Sequence, residues 1–100
     1  MKRDAKAGTD WLKILDEQTR LGDEMRRDVP KMLSDPDITV EQVKALFQAL
    51  EKQAEFIEKL RAALEGFDYD FAIVDKAGVL EDRYVDLAAS AAEKLKGMRG

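Results

Sequence analysis

The sequence has no cysteine and no histidine. The first absence removes thiol nucleophiles and Cys-based zinc sites; the second removes His-based metal sites, haem ligation by His and the Ser-His-Asp triad. No enzymatic activity, no cofactor and no metal are therefore expected. A cysteine-free chain also suits a reducing compartment. Prolines number only two, and glycine and aromatic residues are sparse, which argues against fibrous and low-complexity classes. No apolar run approaches the roughly 20 residues that cross a bilayer, and the opening stretch MKRDAKAGTD lacks the apolar centre of a signal peptide. A cytoplasmic protein without membrane contact is the expectation.

Charge of one sign is lacking too. The formal net charge of −4 divides into 0 over residues 1–35, −2 over 36–66 and −2 over 67–100. No segment offers the one-signed surface that would select nucleic acid or an anionic membrane. A basic cluster does exist at Arg20, Arg26 and Arg27, but Asp23, Glu24 and Asp28 lie among them. The stretch SDPDITVEQVKALF superficially suggests a helix-turn-helix, yet its second helix would present Glu41 as readily as Lys44. Nucleic acid ranks low among expected partners.

What the chain does have is apolar periodicity: 45% hydrophobic and 38% charged residues in 100, enough for one modest, predominantly helical domain. The stretch Ile38 to Gly66 is the best specified. Thr39 and Gln42 have capping-box spacing, and Ile38 with Val43 makes a hydrophobic staple. Gly66 suits the left-handed residue just past a helix. On a helical wheel Val43, Phe47, Leu50, Ala54, Ile57 and Leu64 form one apolar stripe. Ala45, Ala49, Phe56 and Ala63 form a second, nearly opposite, with Leu46 and Leu60 joining the two. One apolar face satisfies an ordinary surface helix, so this helix should be the central one of a bundle or meet a second polypeptide.

Before it, residues 1–8 read as a tail, and a first helix should run from Thr9 or Asp10 to about Val29. Its stripe holds Trp11, Ile14, Leu15, Leu21, Met25 and Val29, with Gln18 and Gly22 on the same side. Gly22 suits close helix approach, and Gln18 sits either within the seam or at its edge. Pro30 should end or kink this helix. One turn of helix can follow at Pro30 to Leu33, then a turn at Ser34-Asp35-Pro36-Asp37, with Met32 and Leu33 plugging the end. So short a connector makes the first two helices an antiparallel hairpin.

Residues 67–79, FDYDFAIVDKAGV, read as a short helix from Tyr69 to about Ala77, capped by Asp68 and closed by Gly78; a small β-hairpin is the alternative. The last helix should cover roughly Leu80 to Met98, with Leu80, Tyr84, Leu87, Ala88, Ala91, Leu95 and Met98 on one face. The expected fold is thus an all-α small helical bundle over residues 9–100: a long antiparallel hairpin, a C-terminal helix, and a short helical segment between them.

The carboxylates Asp68, Asp70 and Asp75 come nearest to a metal site. A calcium loop starting at Asp68 would need oxygen at its fifth position, glycine at its sixth and Glu at its twelfth; the chain supplies Ala72, Ile73 and Val79. The remaining acidic residues fall on charged helix faces with basic residues three or four positions away, such as Glu41 and Lys44, Glu55 and Lys59, or Glu58 and Arg61.

The expected function is a non-catalytic protein-binding module: a regulator, inhibitor, adaptor or chaperone, with an inhibitor carried by a phage or other mobile element as one form suggested by size and charge. The second stripe, Ala45, Ala49, Phe56, Leu60 and Ala63, is the expected contact surface. The alternative is a self-assembling helical protein, a homodimer or higher bundle, that buries this stripe between copies.

Overall fold

A computed structural model describes residues 10–99. The tail expected over residues 1–8, together with Thr9, lies outside the described residues. Three helices follow one another: α1 (Trp11–Leu33), α2 (Val40–Gly66) and α3 (Phe71–Arg99). Among the described residues there is no strand, and the bundle measures 55 × 22 × 18 Å.

Each boundary has a local cause. Asp10 caps α1, its side chain accepting from the Lys13 N–H at 3.1 Å. Helix α1 does not stop at Val29; it continues through Pro30 to Leu33. Proline removes one intrahelical donor, and a break there would pull fully buried Val29 out of the core. The Ser34 hydroxyl then donates back to the Pro30 carbonyl at 2.8 Å and closes the last turn. Leu33 packs on the core, whereas Met32 stays 42% exposed and plugs nothing. At the start of α2 the reciprocal capping box forms: the Gln42 N–H donates to Thr39 Oγ1, and the Thr39 N–H to Gln42 Oε1.

The end of α2 differs from the sequence reading. Gly66 is the last helical residue, and the left-handed position belongs to Asp68, with φ of 59°. The Tyr69 N–H donates to the Leu64 carbonyl and the Asp68 N–H to that of Glu65, both at 3.1 Å, the bond pattern of a Schellman stop. Asp68 is therefore a terminator of α2, not the cap of a short helix. No separate segment exists at 69–77: α3 is continuous from Phe71, and Gly78 does not interrupt it. Glycine costs roughly 1 kcal/mol in a helix, but burial of Ala77 and Leu80 on either side of it outweighs that local preference.

Burial recurs every seven residues: Leu15, Gly22 and Val29 on α1; Val43, Leu50, Ile57 and Leu64 on α2; Ala77, Tyr84 and Ala91 on α3. Leu60, Leu80 and Leu87 fill the alternate positions three or four residues away. This is heptad packing in three long helices. Helix α2 antiparallels α3 through the most extensive interface of the molecule, which the small buried residues Ala77, Ala88 and Ala91 of α3 allow to be close. Helix α1 runs alongside α3 in the same direction, and packs on α3 more than on α2. The helix touched most by both neighbours is thus α3, and the central place expected for α2 is shared with it.

Gly22 is buried, and a β-carbon built on it would fall 2.6 Å from Leu80 Cδ1. Two ion pairs join the helices at their surface: Asp23 on α1 with Arg83 on α3 at 2.6 Å, and Arg61 on α2 with Glu81 on α3 at 3.1 Å. Arg61 reaches across to α3 instead of back along α2 to Glu58. Asp23 likewise pairs across helices, while Arg27 pairs locally with Asp28 at 3.0 Å.

Candidate functional site

With the heptad register known, the second stripe of α2 acquires a position. Phe56 immediately precedes core residue Ile57, and Ala49 and Ala63 lie seven residues to either side of it, all on one flank of the buried seam. Phe56 is 44% exposed, Ala45 and Ala49 are exposed, and Ala63 is half-buried. Leu60 is different. At 2% exposure it belongs to the core cluster with Leu64 and Ile57, so it supports this surface from beneath and presents nothing to a partner. The five residues expected to act together therefore divide into one core residue, one at the margin, and an outward-facing set of Ala45, Ala49 and Phe56.

Two further apolar surfaces went unnoticed in the sequence. At the end of the bundle where α1 begins and α2 turns into α3, the rings of Trp11 and Phe67 stack with centroids 6.0 Å apart. Leu12 and Phe67 are about two-fifths exposed, and Phe71 is 82% exposed. The signal available was the aromatic density of FDYDF; its reading as a cap and short helix hid the fact that Phe71 opens a long helix facing outwards.

The other surface is an open groove of about 720 Å3 between α2 and α3, lined by Phe47 and Ala54 on one side and Val85, Ala88 and Ala89 on the other, with Glu51, Lys52 and Glu55 along its rim. None of its lining residues comes from α1. Phe47 and Ala54 occupy the flank of α2 opposite Phe56. In the sequence they counted as part of the main core stripe, and only the placement of α1 on the other side leaves them at an open edge.

Polar chemistry is sparse. Tyr84 is fully buried and its hydroxyl has no hydrogen-bond partner; the side-chain oxygens of Gln18 and Gln53 are likewise buried and unpartnered. Burial pushes the Tyr84 phenol up from its ordinary range. The hydrogen bond from Arg27 holds the exposed Asp28 carboxyl below the usual carboxylate range. Asp68 stands at the left-handed corner, and Asp70 and Asp75 are exposed, one before α3 and one on it. Among the described residues no three acidic side chains converge as metal ligands would, and no helix is long and apolar enough to cross a membrane.

Comparison with known protein families, with curated proteins and with solved structures gives no match to this chain.

Proposed function

We propose that the protein is a non-catalytic protein-binding module of the cytoplasm, a small regulator, inhibitor, adaptor or chaperone that offers the flank of α2 around Phe56 to its partner. The observation that carries the reading is Phe56 itself, a large aromatic side chain 44% exposed midway along the best-capped helix of the bundle. A half-exposed aromatic on a helix flank has the form of an interface anchor; its nearest neighbours on the helix surface are Lys52 and Lys59, and Ala49 and Ala63 lie two turns to either side on the same flank. Leu60 and Ile57 below it are packed in the core and hold the helix surface rigid, which lowers the ordering cost of association.

The test is recovery of bound protein from native lysate with the wild-type chain and with Phe56→Asp. The expected result is one or more proteins captured by the wild type and lost by a substituted chain whose helical circular dichroism is unchanged. A folded Phe56→Asp chain that captures the same proteins removes this surface from consideration. Steep loss of binding with added salt would instead indicate a nucleic-acid partner.

A further inference from the structure

Helix α1 is the least anchored of the three. Over its 23 residues it buries only Leu15, Gly22 and Val29, and the middle one has no side chain. Trp11, Ile14, Met25 and Leu33 reach the core but stay partly exposed. Helix α2 buries five residues, with Leu50, Ile57 and Leu64 at 0% exposure, and shares the most extensive interface of the molecule with α3. The ion pair between α1 and α3 is made by Asp23, whose side chain is 64% exposed, and such surface pairs contribute little.

Docked, α1 also leaves polar groups without partners. Gln18, one turn before Gly22, has a buried side-chain oxygen with no hydrogen bond. The Tyr84 hydroxyl is buried without one as well, 3.7 Å from where a β-carbon on Gly22 would stand. Both groups regain water if α1 lifts, so two unsatisfied oxygens offset part of what closing gains in apolar burial. Pro30 adds a further weakness, since it has no N–H for the Arg26 carbonyl. Beyond it, residues 34–37 are exposed and lead into α2; at the far end of α1 the hold includes the stack of Trp11 on Phe67.

We propose that α1 is a releasable strap: it lifts as one unit about residues 34–39 while α2 and α3 stay packed together, and the lifted state bares Leu80 and Tyr84. Elements that move in regulation are drawn from the least stable part of a structure, and in this bundle that part is α1.

Hydrogen–deuterium exchange of the full chain, resolved by residue with NMR, is the test. The amides from Leu15 to Val29 should share a common protection, about tenfold or more below that of the slowest amides in α2 and α3. Phe47→Leu separates lifting from unfolding of the whole chain, because Phe47 lines the groove between α2 and α3, where no residue of α1 lies. That change should speed the slowest α2 and α3 amides severalfold and leave those of α1 as they were. Equal protection in all three helices of the wild type overturns the inference, since α1 would then open only with everything else. So does a Phe47→Leu chain in which the α1 amides speed up in step with the others. Protection that declines steadily from Val29 to Leu15 overturns it too, because that gradient is fraying from one end and not release of a unit.

Discussion

Gly22 on α1 lies directly against Leu80 on α3: a β-carbon at residue 22 would stand 2.6 Å from Leu80 Cδ1 and 3.7 Å from the Tyr84 hydroxyl oxygen. The missing side chain is what lets α1 come onto α3 at this level, where Leu80 is itself buried to 3% exposure. Two effects compete in Gly22→Ala. Helix propensity favours alanine by about 1 kcal/mol, whereas overpacking a filled core costs about 1–3 kcal/mol. The expected net result is a destabilisation of about 1 kcal/mol, read from chemical denaturation. Combined with Leu80→Val, which withdraws the offending methyl, Gly22→Ala should cost less than the sum of the two single changes.

Tyr84 offers a prediction in pH as well as in stability. Its hydroxyl is buried without a partner, so Tyr84→Phe removes an unsatisfied polar group while keeping the ring. The expected change is neutral to about 1 kcal/mol stabilising. Burial raises the phenol above its ordinary value of 10.0. The folded state thus retains a proton that the unfolded state releases above pH 10, and stability falls as pH rises from there through the folded value. Urea titrations at pH 9 and at pH values above 10 should show that loss in the wild type and a smaller one in Tyr84→Phe; equal losses would rule out Tyr84 as the titrating group.

Asp68 holds φ of 59° at the end of α2, a conformation that costs L residues roughly 1 kcal/mol or more and glycine almost nothing. Asp68→Gly should raise the midpoint of thermal unfolding by a few degrees, corresponding to about 0.5–1 kcal/mol. Asp68→Val should lower it. An unchanged midpoint in both would show that the bonds to Leu64 and Glu65 do not depend on this backbone geometry.

Gln53 occupies the seam of α2, seven residues after Leu46 and seven before Leu60, with its side-chain oxygen buried and unpartnered. Replacing it with leucine continues the apolar seam and removes the unsatisfied group. Gln53→Leu should therefore stabilise the bundle by about 1 kcal/mol in denaturant titration. Destabilisation would mean that the amide nitrogen of Gln53 makes a bond worth more than the buried oxygen costs.

Much of this architecture was readable residue by residue. The start of α2 was specified by Thr39 and Gln42 alone, because a capping box is a local device that needs no tertiary support. The face of α3 from Leu80 to Met98 was readable because periodicity survives whatever the helix packs against. The boundaries that escaped are those decided across helices: Pro30 stays within α1 because Val29 is anchored in the core, and Gly78 stays within α3 because Ala77 and Leu80 are. The candidate surface was legible in the same partial way. A wheel identifies Phe56 and Leu60 as neighbours on one arc, but only the positions of α1 and α3 determine that Leu60 is enclosed while Phe56 is half open.

The seven-residue recurrence of burial makes the bundle intolerant of frame changes within a helix. Deleting one residue between Leu50 and Ile57 rotates everything downstream by about 100°, turning Ile57, Leu60 and Leu64 to solvent and bringing charged neighbours inward. Removing a full seven would shorten α2 by about two turns yet leave every later side chain facing as before. Length changes compatible with this fold therefore come in whole heptads.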